Sequence, residues 1–373
     1  MYGVRKFEVA IIGGGPAGSA AALTLARAGH LVGLIEKKGV ETFKVGEGLP
    51  PSAKPLLNEL GVLEQFNADN HLPSYGNDSA WGSRILQSTD FIRNRYGHGW
   101  HIDRPKFDAM LRAAAQKAGA RIYEHTRVSQ LMRGAGRAWR VTVAESEGLR
   151  EVRARWLIDC TGRLSWIARN QGIKRISDDR LLGFVALFSP AKDAAEADCD
   201  SLSLIEAAVN GWWYTALLPT QQRIVVYFTD AGTASSKLAR CADGYLKLLN
   251  QTEHIRARLF THRYLIVGQP RAVSANSARL ERFVGDEWLA AGDAAISFDP
   301  LSSQGLLTAL YSGLKSGRAL HAYLSGELDA LELYSRDMDA IYSAYLDNRT
   351  MFYEHERRWA KDEFWRRRQR KSL

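Results

Sequence analysis

Three glycines near the N-terminus have the spacing of a phosphate-binding loop. Gly13, Gly15 and Gly18 form the pattern G-x-G-x-x-G after the apolar run at 9–12, and an alanine-rich segment follows. In such a loop the first glycine makes a tight turn, the second lets the backbone approach a pyrophosphate, and the third lets the following helix pack on the strand. The N-terminus of that helix offers unpaired N–H groups to phosphate oxygens. The pattern therefore predicts a dinucleotide-binding site.

Two carboxylates at the ends of predicted strands extend this site. Glu36 ends the strand at 31–35, where it can accept hydrogen bonds from a ribose diol. Asp293 ends another strand within 288–295, and Gly305 begins a helix shortly afterwards. A carboxylate there can hold a ribityl chain, and helix N–H groups can face the electron-rich edge of an isoalloxazine. A glycine loop alone accepts NAD or FAD, and this later pair favours FAD.

Composition limits the classes of protein that the chain can form. With 373 residues, 46% of them hydrophobic, we predict a globular protein of two intertwined domains. Cys160, Cys199 and Cys241 are too few and too scattered for a disulfide framework or a metal site, so no metal is predicted. No apolar run approaches the length of a membrane span, and the N-terminus leads directly into the first strand. We therefore expect a cytoplasmic protein without a transmembrane segment.

Basic residues concentrate at the C-terminus. The formal net charge is +9, and the stretch 366–371 holds five of the basic residues. This stretch is either a solvated tail or a surface that steers an acidic partner. Trp359, Phe364 and Trp365 lie between the charges and could anchor the tail to the body of the protein or form the centre of a contact. No nucleic-acid partner is expected, because nothing upstream resembles a nucleic-acid-binding module.

Three further motifs resemble those of a known enzyme family. Residues 159–163 read D-C-T-G-R, residues 292–294 read G-D-A and residues 299–300 read D-P. They resemble the FAD-dependent monooxygenases of the glutathione-reductase-type FAD fold, and the resemblance covers nearly the whole chain. It implies bound FAD. The predicted cofactor contacts are Gly13, Gly15, Pro16, Ala17, Gly18, Glu36, Lys37, Arg104, Val128, Asp159, Gly162, Asp293, Gln304, Gly305 and Leu306.

The same resemblance implies an α/β fold class. We expect a Rossmann-like FAD-binding domain from 1–75, 101–170 and 271–330. An inserted mixed β-sheet substrate domain is expected from 76–100 and 171–270, because residues 183–230 alternate and carry many aromatic side chains. A helical, basic C-terminal segment is expected over 331–373.

The flavin-dependent halogenases share part of this pattern. The loop V-G-E-G-L-P-P at 45–51 resembles that branch, as does Thr161 before Gly162. Two halogenase signatures are missing, however. The family carries a lysine downstream of this loop that handles hypohalous acid, yet no lysine lies between Lys54 and Lys106; its W-x-W-x-I-P motif is also absent. Gln304 stands where the chloride-site threonine precedes glycine, so halogenation is the less favoured activity.

A narrower resemblance concerns four aromatic motifs. S-A-W-G-S at 79–83, G-H-G-W-H at 97–101, G-W-W-Y at 211–214 and F-W-R-R-R at 364–368 look like the flavoprotein monooxygenases of tryptophylquinone biogenesis. Those enzymes oxygenate a tryptophan side chain within a partner protein. The resemblance implies transient reduction of FAD by NAD(P)H, reaction with O₂ to a flavin C4a-hydroperoxide, and hydroxylation of an electron-rich aromatic substrate. An FAD-dependent reductase or dehydrogenase of an apolar, prenyl-type substrate remains the alternative.

Candidate residues for the substrate side come from the same motifs. His98 and His101 are the candidate catalytic residues, since histidine can take a ring proton or orient an oxidant, although either could be structural. An aromatic substrate pocket would be lined by large rings, with core packing as the alternative for each of them. The candidates are Trp81, Trp212, Trp213 and Tyr227.

Overall fold

A computed structural model describes residues 4–39, 44–134, 138–146, 148–191 and 197–369. Its strands are β1 (Arg5–Ile12), β2 (Val32–Ile35), β3 (Gly48–Leu49), β4 (Leu72–Ser74), β5 (Gly76–Ala80), β6 (Gln87–Asp90), β7 (Gly99–His101), β8 (Arg121–Tyr123), β9 (Arg127–Arg133), β10 (Trp139–Glu145), β11 (Gly148–Asp159), β12 (Arg175–Ser177), β13 (Leu181–Pro190), β14 (Ser203–Ala208), β15 (Gly211–Leu217), β16 (Arg223–Asp230), β17 (Tyr264–Ser274), β18 (Ala278–Leu280), β19 (Val284–Gly285), β20 (Trp288–Ala290) and β21 (Ile296–Ser297). Its helices are α1 (Pro16–Arg27), α2 (Ala53–Glu59), α3 (Leu63–Ala68), α4 (Arg104–Lys117), α5 (Trp166–Asn170), α6 (Ala234–Leu238), α7 (Ala242–Leu249), α8 (His254–Thr261), α9 (Gly305–Leu324), α10 (Ala330–His355) and α11 (Glu363–Arg366).

The first sheet is built around β1. Its strand order is β19-β20-β11-β1-β2-β8, in which β20, β11, β1, β2 and β8 run parallel, and β9 and β10 extend β11 in antiparallel fashion. Residues 9–12 of β1 are all buried, as expected for a parallel strand covered on both faces. Ile12 pairs with Ile35 and Asp159, and Asp159 pairs with Ala290, so four parallel strands end at one edge. Residues that follow these strands therefore lie next to one another.

Helices α1 and α9 pack closely because both present small residues to each other. A Cβ atom at Gly313 of α9 would lie only 2.2 Å from the carbonyl oxygen of Ala17. One at Gly317 would lie 2.8 Å from Cβ of Thr24. The absence of these side chains brings α9 directly onto α1, and this contact joins two segments that are far apart in the chain.

The second sheet separates two layers of side chains. Its order is β17-β13-β16-β15-β14-β5-β6, antiparallel except where β14 runs parallel to β5. One face packs on α6, α7 and α8 through Trp213, Tyr227 and Tyr245, whereas the other carries Trp212 and Phe228. Neighbouring residues of a strand point to opposite faces, which separates Trp212 from Trp213. The α/β fold class and the helical C-terminal segment are confirmed.

The C-terminal segment is anchored on this second sheet. The Trp365 side chain is fully buried, and its Nε1 donates to the carbonyl oxygen of Ala208 at 3.1 Å. Arg368 pairs with the buried Asp230 at 2.5 Å and lies 3.9 Å from the ring centre of Phe364. Of the predicted alternatives, anchoring of the tail to the body is therefore observed at Trp365 and Arg368, whereas Arg366 and Arg367 are exposed and their role in docking a partner stays a prediction. Arg370 and Lys371 lie outside the described residues.

Within the described ranges, no helix has the length and apolar character needed to cross a bilayer.

Candidate active site

A cavity of about 410 Å³ lies between the glycine loop and the second sheet. Gly15, Pro16 and Ala17 line it at one side, together with Gly305 and Leu306 from the start of α9. From the second sheet, Trp212 and Tyr214 of β15, Val226 and Phe228 of β16, and Ile205 of β14 reach the same space. The cavity thus connects the predicted cofactor loop to an apolar and aromatic sheet face.

The glycine loop leaves one open position. A Cβ atom at Gly18 would lie 1.8 Å from the carbonyl oxygen of Gly13, so Gly18 is required by the contact between loop and helix. A Cβ atom at Gly15 would meet nothing within 4 Å. Gly15 faces the cavity at the N-terminus of α1, where N–H groups point toward any bound anion. The loop therefore leaves, at Gly15, the room that a pyrophosphate needs, and we call this position the cradle.

Glu36 lies on the other side of this loop and helps to hold it. Its Oε2 accepts a hydrogen bond from the Gly14 N–H at 2.6 Å, and its Oε1 accepts one from the Lys38 N–H at 2.9 Å. The Thr126 N–H donates to the Glu36 carbonyl oxygen, which brings the start of β9 with Val128 to this strand end. Lys37 is exposed. None of Glu36, Lys37 and Val128 lines the cavity, so the structure does not bring these three predicted cofactor contacts to it.

An ion pair also lines the cavity. Arg163 Nε lies 3.3 Å from Asp293 Oδ2, and both residues line the cavity with Gly162. Asp293 occupies a single 3₁₀ turn that follows β20, and its side chain is 39% exposed. Gln304 is exposed and does not reach the cavity, although the residue after it does.

Asp159 does not contact the cavity, contrary to the sequence prediction. Its carboxylate is fully buried and accepts hydrogen bonds from Thr161 N–H at 3.0 Å, Thr161 Oγ1 at 2.6 Å and Ala168 N–H at 3.1 Å. Burial raises the pKa of this carboxyl. Asp159 organises the turn after β11, and this turn presents Cys160, Gly162 and Arg163 to the cavity.

Arg104 holds the loop at 45–48 against the cavity. Its Nη1 donates to the carbonyl oxygens of Val45 at 2.6 Å and Gly46 at 3.1 Å, while its Nε donates to Asp108 at 3.3 Å. Arg104, a predicted cofactor contact, lines the cavity. Glu47, which belongs to the loop that Arg104 holds, also lines it.

Glu47 and Tyr214 form a polar pair that the sequence interpretation missed. The Tyr214 hydroxyl donates to Glu47 Oε1 at 2.6 Å, and only 4% of Glu47 is exposed. Burial, together with the Glu47 carboxylate, raises the pKa of Tyr214 well above its usual value, so its hydroxyl stays protonated. The two residues are 167 positions apart. The one sequence signal was Glu47 itself, within the loop that resembles halogenases.

Neither predicted catalytic histidine reaches the cavity. His98 packs on Trp100 and Tyr75, and its Nδ1 lies 2.8 Å from the Gly99 carbonyl oxygen. His101 is 1% exposed, with Nε2 at 2.9 Å from Ser203 Oγ. Burial lowers the pKa of His101 to about 4, which keeps the ring neutral at pH 7. Both histidines therefore lie outside the cavity lining, and His101 is bonded to Ser203 of β14, the strand that pairs with β15.

One of the four predicted substrate aromatics lines the cavity. Trp212 does so and stacks on Phe228 with ring centres 4.0 Å apart. Trp81 lies behind it, at 6.2 Å from the Trp212 ring, and donates its N–H to the Phe352 carbonyl oxygen. Trp213 and Tyr227 stack on each other on the opposite face of the sheet, where they contact α7. Those two residues therefore belong to the core beneath the helices and not to the cavity.

The parallel sheet, the glycine loop and the acid at 293 define a class of FAD-binding protein. The chain belongs to the family described as FAD binding domain, which matches residues 6–349. It is an FAD-dependent oxidoreductase, and the proteins similar to it include flavin-dependent halogenases.

Particular relatives cover almost the whole chain. LodB of Marinomonas mediterranea, named an FAD-dependent oxidoreductase, is 31% identical over 98% of this chain and 97% of its own length. The structure of CmlS, a flavin-dependent halogenase, matches with a TM-score of 0.86 and 26% identity, over 100% of this chain and 69% of that one. The structure of QhpG, a peptidyl tryptophan dihydroxylase essential for tryptophylquinone cofactor biogenesis, matches with a TM-score of 0.75 over 99% of this chain and 80% of that one. At 21% identity, the likeness to QhpG shows the fold.

Proposed function

We propose that this protein is an FAD-dependent monooxygenase that hydroxylates an electron-rich aromatic substrate. The observation that carries the proposal is the continuous cavity, which opens on the Gly15 cradle at one end and on the Trp212–Phe228 face at the other. A planar aromatic substrate can stack on such a face while a cofactor occupies the cradle. The enzyme would then act mainly by positioning the ring and excluding water.

The residues present fit FAD. Gly15 and the N-terminus of α1 would hold the pyrophosphate, Asp293 would hold the ribityl chain, and the N-terminus of α9 at Gly305 would face the ring system. A Cβ atom at Gly305, as at Gly15, would meet nothing within 4 Å, so both positions leave room for a ligand. Bound FAD, reduced by NAD(P)H and exposed to O₂, supplies an electrophilic oxygen atom to the substrate.

The cavity lining favours hydroxylation over halogenation. The described residues that line it include no lysine, and Lys44 nearby is paired with Asp108 at 2.7 Å. Several relatives are nevertheless named halogenases, among them CmlS. Halogenation is therefore the second candidate, and it is tested beside the first.

We further propose that the aromatic substrate is a tryptophan side chain carried by a partner protein. The support comes from the motif resemblance at 79–83, 97–101 and 211–214, and from the shared fold with QhpG, whose substrate is a peptidyl tryptophan. Trp212 and Phe228 both line the cavity and stack on each other, and together they would form the apolar wall for an indole ring. The anchored C-terminal segment supports the back of this wall through the contact between Trp81 and Trp365 at 5.2 Å.

Oxygen transfer to a panel of aromatic compounds tests the proposal. The FAD-loaded protein is incubated with NAD(P)H, ¹⁸O₂ and bromide, together with free tryptophan, indole, 4-methylphenol or a tryptophan-containing peptide. We expect mass spectrometry to show ¹⁸O in at least one aromatic product and no bromine in any. Trp212→Ala should reduce this product at unchanged FAD content, whereas Trp213→Phe, on the opposite face, should not. Bromination, or NAD(P)H oxidation without any oxygenated product, would contradict the proposal.

A further inference from the structure

We infer that Glu47, positioned by Tyr214, is the acceptor that selects an aromatic ring bearing an N–H group, as indole does. The inference rests on the proposed function and names the polar feature of the substrate that the cavity recognises. It concerns binding, so it is tested without turnover.

The Glu47 carboxylate retains room for another hydrogen bond. Its Oε1 accepts from the Tyr214 hydroxyl at 2.6 Å, and its Oε2 accepts from the Gly46 N–H at 3.2 Å. An ionised carboxylate offers about four acceptor positions, so these two contacts fix its orientation without filling it. Because Glu47 lines the cavity and is 4% exposed, a donor from a bound ring would complete its contacts away from bulk water.

The acceptor lies beside the aromatic wall. Tyr214 and Trp212 are two residues apart on β15 and point to the same face of the second sheet. Glu47 accepts a hydrogen bond from the Tyr214 hydroxyl, so the carboxylate and the Trp212–Phe228 stack border the same part of the cavity. A ring held on this stack can direct an N–H to Glu47. As oxygen adds and the ring takes on positive charge, the N–H becomes a stronger donor, and the contact strengthens in the transition state.

The other charged groups that line the cavity are already committed to partners. Asp293 is paired with Arg163. Asp299 is fully buried and accepts from the Leu301 N–H at 3.0 Å and from the Tyr353 hydroxyl at 2.7 Å, and that hydroxyl in turn accepts the N–H of Trp212 at 3.1 Å. Arg104 donates to backbone carbonyls and to Asp108. His101 lies outside the lining, with its Nε2 at 2.9 Å from the Ser203 hydroxyl. Among the described carboxylates of the lining, Glu47 is the one bonded to Tyr214, whose side chain shares a sheet face with Trp212.

The test compares two rings of nearly equal shape. Benzofuran has an oxygen where indole has its N–H, so it presents no donor to Glu47. Binding of each to the FAD-loaded protein is followed by the change in the visible absorbance of the flavin. A hydrogen bond to a charged group predicts that indole binds about 10- to 150-fold more tightly than benzofuran.

Three variants separate recognition from structural damage. Glu47→Ala should bring the ratio of the two affinities close to one, and Tyr214→Phe should lower it by freeing the carboxylate. Tyr245→Phe removes a buried hydroxyl on the opposite face, bonded to the Val225 carbonyl oxygen, and should leave the ratio unchanged. If Glu47→Ala does not retain FAD, the ratio of the indole and benzofuran affinities in Tyr214→Phe is used to test the inference. Equal affinities in the unaltered protein, binding of neither ring, or a preference that persists in Glu47→Ala overturns the inference. Hydroxylation of a substrate without this donor would leave the proposed function standing while the inference fails.

Discussion

Replacement of Gly15 by valine separates cofactor binding from folding. The backbone at Gly15 has φ −76° and ψ −174°, a conformation open to any residue, and a Cβ atom there would meet nothing within 4 Å. We therefore expect the melting temperature of the cofactor-free Gly15→Val protein to change by at most about 4 °C, the equivalent of roughly 1 kcal/mol. The affinity for FAD should fall, because the methyl groups of valine occupy the space at Gly15 that the pyrophosphate needs. Overpacking of about 1–3 kcal/mol weakens the affinity for FAD by roughly 5- to 150-fold.

A matched variant at Gly18 gives the opposite pattern. Its Cβ atom would lie 1.8 Å from the Gly13 carbonyl oxygen, and both groups are fixed in the backbone. Gly18→Ala should therefore cost at least about 3 kcal/mol and lower the melting temperature of the cofactor-free protein. FAD affinity is measured by quenching of flavin fluorescence on titration of each apoprotein. A folded Gly15→Val protein that binds FAD with unchanged affinity would refute the assignment of the cradle.

Two further predictions concern buried ionisable side chains. Burial lowers the pKa of His101 to about 4, from 6.5 in an exposed histidine, so between these pH values the unfolded chain binds a proton that the folded chain lacks. Acidification from pH 6.5 to 4 should therefore remove roughly 3 kcal/mol of stability. His101→Gln should flatten the dependence of melting temperature on pH in that range. If the histidine variant and the unaltered protein lose stability in parallel, other groups control the acid response. Among the described residues, Arg368→Met leaves the buried Asp230 with only its ion pair to Arg367, and it should cost about 3–5 kcal/mol. Arg366→Met, at an exposed position, should change stability by no more than about 0.5 kcal/mol. Equal melting temperatures for these two arginine variants would show that the C-terminal anchor does not stabilise the fold.

The parts of the site that the sequence predicted are those whose spacing reflects local backbone geometry. Gly13, Gly15 and Gly18 follow one strand and begin one helix, so their roles are visible within a few residues. Asp293 also follows a strand that ends at the same sheet edge. The Glu47–Tyr214 pair was not predicted from the sequence because it joins the loop at 45–48 to strand β15, 167 positions away. No local pattern records that contact.

The aromatic residues show a different limit of prediction from sequence. Strand alternation alone indicates that Trp212 and Trp213 cannot share a face, but both faces of the second sheet are buried, so hydrophobicity does not reveal which one borders the cavity. Asp159 shows a third limit. A carboxylate after a strand can contact a cofactor or hold a turn, and its hydrogen bonds to Thr161 and Ala168 decide for the turn.

The close contact between α1 and α9 has a consequence for biosynthesis. Helix α1 leaves the ribosome early, yet the helix that covers its small-residue face is made only after the whole second sheet. During that interval the alanine-rich face of α1 lacks its partner, and the cradle at Gly15 lacks the Asp293 and Gly305 side of the cavity. FAD should therefore load only after translation has passed α9. A chain that stops before this helix is expected to aggregate rather than to form a smaller flavoprotein.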